Sequence, residues 1–182
     1  MKAGARVLGI DDSPFTGKTT RVLVIGVVWR EGVIEGVLST YIKKDGLDST
    51  KRIIEMVKNS KFSQQIRLIL LHGATLGGFN VVDLNELNRA LSIPVIAVTR
   101  KKPDMRRVKS ALKNLPSWER RIRILESAGK AVRCGKVYCQ IAGIEEGEVR
   151  KLILSFKGIP EPVRLAHLIG SGVVRGESHG RV

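Results

Sequence analysis

Two adjacent aspartates close the first apolar run of this chain, in GIDDSPFTGKTT at Gly9–Thr20. The final Gly-Lys-Thr is how a phosphate-binding loop ends. That loop needs a glycine where Asp12 stands, so that bare backbone can curl round phosphate oxygens. A carboxylate there repels them. The residues after Lys18 are also β-branched (TTRVLVIGVVW), which reads as a strand where the loop requires a helix. Asp11 and Asp12 are therefore read as a strand-end pair. Asp11 is the candidate for site chemistry, and Asp12 is expected to bond the turn backbone around Ser13-Pro14.

Other residues could join Asp11. His72 closes the apolar run IRLILLH. Beside an aspartate its imidazole can ligate Mn²⁺ or Zn²⁺, or donate a hydrogen bond and need no metal. Asp48, with Asp45 as the poorer choice, precedes a helical stretch, where a carboxylate is either a helix N-cap or an oxygen ligand. Arg164 and His167 are three apart and so share a helix face. Arg164 either pairs with Glu161 or points at the site. TRKKPDMRRVK, Thr99 to Lys109, carries six basic residues and one aspartate. It is a solvated face or a phosphate-contacting one, the latter through Arg100, Lys101, Lys102, Arg106 and Arg107, with Arg164 added from the last helix.

The elements that must hold these residues follow from the pattern. Ala5–Asp11, Arg21–Arg30 and Gly32–Ile42 read as three strands with short links, an antiparallel meander. A helix follows from Asp48 to about Ser60, then a strand at Ile66–Leu71 that is apolar on both faces and therefore central. A helix at Asn80–Leu91 leads to a strand at Val95–Thr99. Basic helices are expected at Met105–Leu115 and Trp118–Ser127, a hairpin at Lys130–Ile141, and helices at Glu145–Phe156 and Pro160–Leu168. This order predicts an α/β fold: a ribonuclease H-like mixed sheet of about five core strands flanked by helices. Strands one to three are antiparallel, and strands four and five run parallel to strand one. The end of strand four (His72) then lies beside the end of strand one (Asp11), where such a fold can assemble a metal site.

The bulk numbers suit one domain. The chain has 182 residues, 32 Lys plus Arg and 17 Asp plus Glu, for a net charge of +15. That excess favours a polyanionic partner, nucleic acid first. Aromatics at 4% argue against a base-stacking platform. There is no apolar run of about 18 residues to span a membrane and no signal-peptide core, so a cytoplasmic protein without a membrane partner is expected. Residues 1–169 are expected to form the single domain and 170–182 a Gly/Ser/Arg-rich tail. In AVRCGKVYCQI, a Gly135-Lys136 turn pairs Cys134 with Val137 and Val132 with Cys139, so the two thiols are read as reduced, structural and not partners of each other.

Three segments carry a resemblance. LGID, then LILLHGATLGGFNVVDLNELNRALSIPVIAVTRKKP, then FKGIPEPVRLAHLIG resemble the endonuclease V family in order, from about Ala5 to Leu168. The nearer match is an archaeal family of unknown function distantly related to it. PEPVRLAH is similar to that family's Pro-Glu-Pro-Thr-Arg-Leu-Ala-His ending, and SIPVIAVTRK to its Pro-Thr-Ile-Gly-Val-Ala-Lys strand. The resemblance implies cleavage of nucleic acid near deaminated bases, with Mg²⁺ or Mn²⁺ held by carboxylates. The first-strand carboxylate corresponds to Asp11, the strand-four Asp-Gly to His72-Gly73, the lysine after strand five to Arg100, and the late histidine to His167. The helix-starting glutamate has no direct counterpart, and Asp48 stands nearest. The Pro-Tyr wedge loop is absent from STYIKKDGLD, which keeps only Tyr41.

Asp11, His72, His167 and Asp48 thus form the expected catalytic set, with Asp11, His72 and Asp48 as metal ligands. Mg²⁺ prefers carboxylate and water to imidazole, so His72 is the residue that divides the functional readings. One is a metal-dependent endonuclease, a phosphodiester hydrolase acting on DNA or RNA. The other is a catalytically degenerate nucleic-acid-binding or scaffold protein on the same fold.

Overall fold

The computed structural model describes residues 4–156 and 158–178. Strands β1 (Arg6–Asp12), β2 (Arg21–Arg30) and β3 (Val33–Lys43) make the antiparallel meander. Helix α1 (Ser49–Lys58) carries the chain over one face to β4 (Ile66–His72), which lies parallel beside β1. Helix α2 (Leu84–Leu91) leads to β7 (Val95–Thr99), parallel beside β4. The sheet has seven strands in the order β3-β2-β1-β4-β7-β9-β8, a ribonuclease H-like mixed sheet. The two strands beyond the five expected are the hairpin β8 (Val132–Cys134) and β9 (Val137–Ala142), which extends the sheet antiparallel to β7. Among the described residues no helix is long and apolar enough to cross a membrane.

The three central strands are buried on both faces, as their unbroken apolar runs require. Alternate residues feed two cores. Leu8, Ile10, Ile69, Leu71, Val95 and Ala97 pack under α1, α2 and the pair α3 (Met105–Leu112) and α4 (Trp118–Ser127). Val7, Leu68, Leu70, Ile96 and Val98 pack under α5 (Glu146–Ser155) and α6 (Glu161–Arg175). Each fully buried Leu or Ile contributes about 1.5–3 kcal/mol, so the central strands anchor the sheet edge that bears the candidate residues.

Several expectations are corrected. Helix α2 starts at Leu84 and not at Asn80, because Asp83 caps it by accepting from the Glu86 amide at 2.9 Å. Asn80 instead belongs to a small hairpin of β5 (Thr75–Leu76) and β6 (Asn80–Val81). The last helix does not stop at Leu168 but runs to Arg175, because Gly170 and Ser171 are buried parts of its packed face. The proposed tail therefore begins inside a helix, and its residues 179–182 lie outside the described residues. The hairpin register is as expected, Cys134 with Val137 and Val132 with Cys139, and both cysteines are buried and free. They are diagonal neighbours on one sheet face, which strand pleating brings within reach.

Candidate metal centre

β1 and β4 are parallel neighbours, so Asp11 and His72 leave the sheet at the same edge. Side chains alternate between faces along a strand, and Asp11 shares its face with Val7 and Gly9, His72 with Leu68 and Leu70. Both therefore point to the side covered by α6. The third residue, His167, is delivered by that helix, and two glycines set its approach. A Cβ on Gly9 would lie 2.2 Å from the Pro162 backbone carbon, and one on Gly170 would lie 2.6 Å from Ser13 Oγ. Bare backbone at both places lets α6 lie directly on β1. Four extended residues from Gly9 to Ser13 cover about 13 Å, and eight helical residues from Pro162 to Gly170 about 12 Å. Helix and strand thus run in step between the two contacts, and His167 falls opposite Asp11.

The geometry at the meeting point is compact. Asp11 Oδ2 lies 2.9 Å from His167 Nδ1 and 3.1 Å from His72 Nδ1. Its other oxygen, Oδ1, accepts from the Asp12 amide at 2.9 Å. The two imidazoles stand edge to face, with ring centroids 6.4 Å apart. Asp11 is buried, its side chain 3% exposed, whereas His72 and His167 are 30% and 23% exposed and form the open side of the site. One atom from each residue lies within 4.8 Å of the others, a group able to hold a divalent cation.

Burial is the largest influence on Asp11 and pushes its pKa up. Hydrogen bonds from His167 and His72, with their positive charges, more than offset it and leave Asp11 below the ordinary aspartate value. The reciprocal bond to Asp11 raises His72 against the opposing effect of burial. Asp12 shows what happens to a carboxylate without these partners. Burial and the neighbouring Asp11 charge push it up to about 6, although the Gly77 amide donates to its Oδ2 at 3.1 Å. Asp12 therefore bonds the β5–β6 turn across the cleft, not its own turn at Ser13-Pro14.

The donor set is one carboxylate oxygen and two imidazole nitrogens. Mg²⁺ favours an all-oxygen shell, whereas Mn²⁺ and Zn²⁺ accept nitrogen, so these residues suit the softer ions.

The profile of the family described as Endonuclease dU matches residues 3–174. The chain belongs to that family. A UPF0215 protein from Methanothermobacter thermautotrophicus is 47% identical over 189 aligned positions, covering 99% of this chain and 93% of the relative. The crystal structure of a protein of unknown function from Archaeoglobus fulgidus superposes with a TM-score of 0.88 at 44% identity, over 97% of this chain and 99% of that one. Human endonuclease V shares the fold more distantly, with a TM-score of 0.63, 15% identity, and coverage of 95% and 85%. So does Ciona intestinalis endonuclease V in complex with DNA containing an inosine, with a TM-score of 0.54, 16% identity, and coverage of 90% and 82%. This Endonuclease dU member thus has the endonuclease V fold.

The other expected residues lie as follows. Asp48 is outside the three-residue group: its carboxylate accepts from the Lys43 amide at 3.1 Å and from Asn80 Nδ2 at 2.7 Å, fastening the loop before α1. Asp45 Oδ1 accepts from the Phe79 amide at 2.8 Å. Arg164 takes the pairing alternative, its Nε 2.8 Å from Glu161 Oε2. Arg100, Lys101, Lys102, Arg106 and Arg107 are all exposed or partly so, at the surface. Their segment leaves β7 next to the site, since Val98 is the register partner of His72. His167 had been read as catalytic only, and its place among the potential ligands is what the reading missed. The signal was in the spacing, because His167 lies four residues after Val163 and three before Gly170, both on the packed face of α6.

Proposed function

We propose that this chain is a divalent-metal-dependent endonuclease acting on nucleic acid at deaminated bases, uracil in deoxyuridine being the case that the dU of its family's description points to. The observation that carries the reading is the convergence of His72 and His167 on one oxygen of a buried Asp11, at the sheet edge of an endonuclease V fold. Asp11, His72 and His167 are the proposed ligands, with Mn²⁺ or Zn²⁺ favoured over Mg²⁺. Such an ion would acidify a bound water and neutralise a phosphate. Before an ion binds, Asp11 Oδ2 accepts an Nδ1–H from each imidazole, and ligation would need an unprotonated nitrogen on each ring. The exposed run Arg100, Lys101, Lys102, Arg106 and Arg107 is proposed to contact phosphates. Reduced buried thiols at Cys134 and Cys139 suit a cytoplasmic setting.

A second reading has its own observation: both imidazoles hydrogen-bond Asp11 directly, as in a binding protein that has lost the chemistry. A cleavage screen separates them. Strands containing deoxyuridine or deoxyinosine are incubated with Mn²⁺, Zn²⁺ or Mg²⁺, with Asp11→Asn as control. Cleavage with Mn²⁺ or Zn²⁺ that vanishes in Asp11→Asn is expected. Binding without cleavage under every ion would leave the second reading.

A further inference from the structure

On the opposite face of the sheet from the metal centre, α3, α4 and the strand β9 line a half-open cavity of about 410 Å³. None of Asp11, His72 or His167 lines it. Its walls are apolar at Pro103, Met105 and Leu125, a surface suited to a flat ring. Gln140 is the polar group at its base and only 7% exposed. Its Nε2 donates to the Gly129 carbonyl at 3.0 Å, which fixes the amide. The second N–H and the Oε1 remain, one donor beside one acceptor. That is the complement of a nucleobase edge, which likewise sets an N–H beside an acceptor. The rim is cationic: Lys102 and Lys130 are exposed, while Lys109 is held by Glu126. Pockets of this size hold small ligands, with apolar walls and a few placed polar groups.

We propose that this cavity binds one nucleotide unit, its base against Gln140 and its phosphate between Lys102 and Lys130. The unit is either a free mononucleotide or one residue of a strand. The strand alternative is open because Lys102 lies four residues beyond Val98, the partner of His72 in the sheet. The proposal does not depend on metal or cleavage; it shares Lys102 with the phosphate-contacting run proposed above, and Gln140 and Lys130 are its own.

Titration calorimetry on the metal-free protein tests it, with uridine 5′-monophosphate, ribose 5-phosphate, inorganic phosphate and a short single-stranded oligonucleotide. The base should make uridine 5′-monophosphate bind about tenfold more tightly than ribose 5-phosphate, a difference of about 1.4 kcal/mol. Lys102→Glu with Lys130→Glu should weaken it by at least about tenfold. Gln140→Met, similar in volume but without the amide, should bring the nucleotide down to the level of ribose 5-phosphate. Met105→Trp, which fills the cavity from its half-buried wall, asks the same question if Gln140→Met melts early. Binding of the mononucleotide with these losses identifies a free ligand. Losses seen only with the oligonucleotide identify a strand-borne one. Inorganic phosphate binding as tightly as the nucleotide, or binding of both nucleotide probes unchanged in the lysine double variant, overturns the proposal.

Discussion

His167 and Asp11 are 156 residues apart in the chain and 2.9 Å apart in space, Nδ1 to Oδ2. The contact depends on how closely α6 lies on β1, and hence on Gly9, whose added Cβ would meet the Pro162 backbone. Backbone cannot swing aside as a flexible side chain would. Gly9→Ala should therefore lift the start of α6 and cost about 2–4 kcal/mol, at the upper end for overpacking. Urea unfolding gives the stability. A Gly9→Ala variant as stable as the parent would mean that the helix is not held at this point.

Asp12 gives a pH signature. Its pKa is raised from 3.8 to about 6, so between those values the folded chain holds a proton that the unfolded chain has released. Stability from this group is present below about pH 3.8 and is lost as pH rises to 6. About two pKa units correspond to roughly 3 kcal/mol, and partial solvent access brings the expectation to about 1–3 kcal/mol. Asp12→Asn keeps an acceptor for the Gly77 amide and removes the ionisation. It should melt higher than the parent at pH 8 and alike at pH 3.5. Equal melting at both pH values would show that burial does not penalise the Asp12 charge.

The metal prediction follows from the donor set. Mn²⁺ or Zn²⁺ should raise the melting temperature, and at about 100 times its Kd an ion adds about 2.7 kcal/mol. Mg²⁺ should do far less. His72→Ala and His167→Ala should each remove most of the gain. Binding should weaken as pH falls through the raised pKa of His72, because a protonated imidazole cannot ligate. In the absence of metal, the Asp11–His72 bond stabilises the fold below pH 6.5 and loses that contribution as pH rises through the raised value. Calorimetric Mg²⁺ binding as tight as Mn²⁺ binding, and unchanged in His72→Ala, would refute this assignment.

Much of the frame was legible in the sequence because it rests on strand patterning. Unbroken apolar runs ending in Asp11 and His72 mark central strands, and the meander followed by alternating helix and strand brings those ends together. The hairpin register at Cys134 and Cys139 was readable from one turn, but the placing of the two side chains as diagonal neighbours on one face was not, since it depends on side-chain direction on the pleat. Arg121 was hidden for a similar reason. In the sequence it is one of several charges in a basic helix. In the fold it is 3% exposed, and its guanidinium donates to the carbonyls of Gly46, Phe79 and Asp45, each at 2.7 Å, and of Pro116 at 3.1 Å. These acceptors are backbone atoms on three separate loops, which no spacing of residue types records. The continuation of α6 past Leu168 was missed because Gly170 and Gly172 read as a tail, when one of them is the small residue that close packing demands.

The basic stretch after β7 yields the last prediction. Arg106 and Arg107 are exposed, and their backbone amides donate to Asp104 as the α3 cap, at 3.1 and 3.3 Å. Arg107 also faces Asp104 at 3.5 Å, but its side chain is 90% exposed, so that pair is weak and leaves the guanidinium available. If the two arginines contact phosphates, affinity for nucleic acid should fall with salt along a log–log slope of about −0.7 to −0.9 per phosphate. Arg106→Ala with Arg107→Ala should then flatten the slope by about one to two units and weaken all sequences alike, because phosphate contacts carry no base information. The substitutions leave the Asp104 cap intact, so stability should change by less than about 0.5 kcal/mol and any loss of affinity reports contact rather than unfolding. Binding measured at several salt concentrations decides it. An unchanged slope in the double variant would make this stretch a solvated face, and the phosphate contacts would then fall to the exposed lysines and arginines elsewhere on a chain of net charge +15.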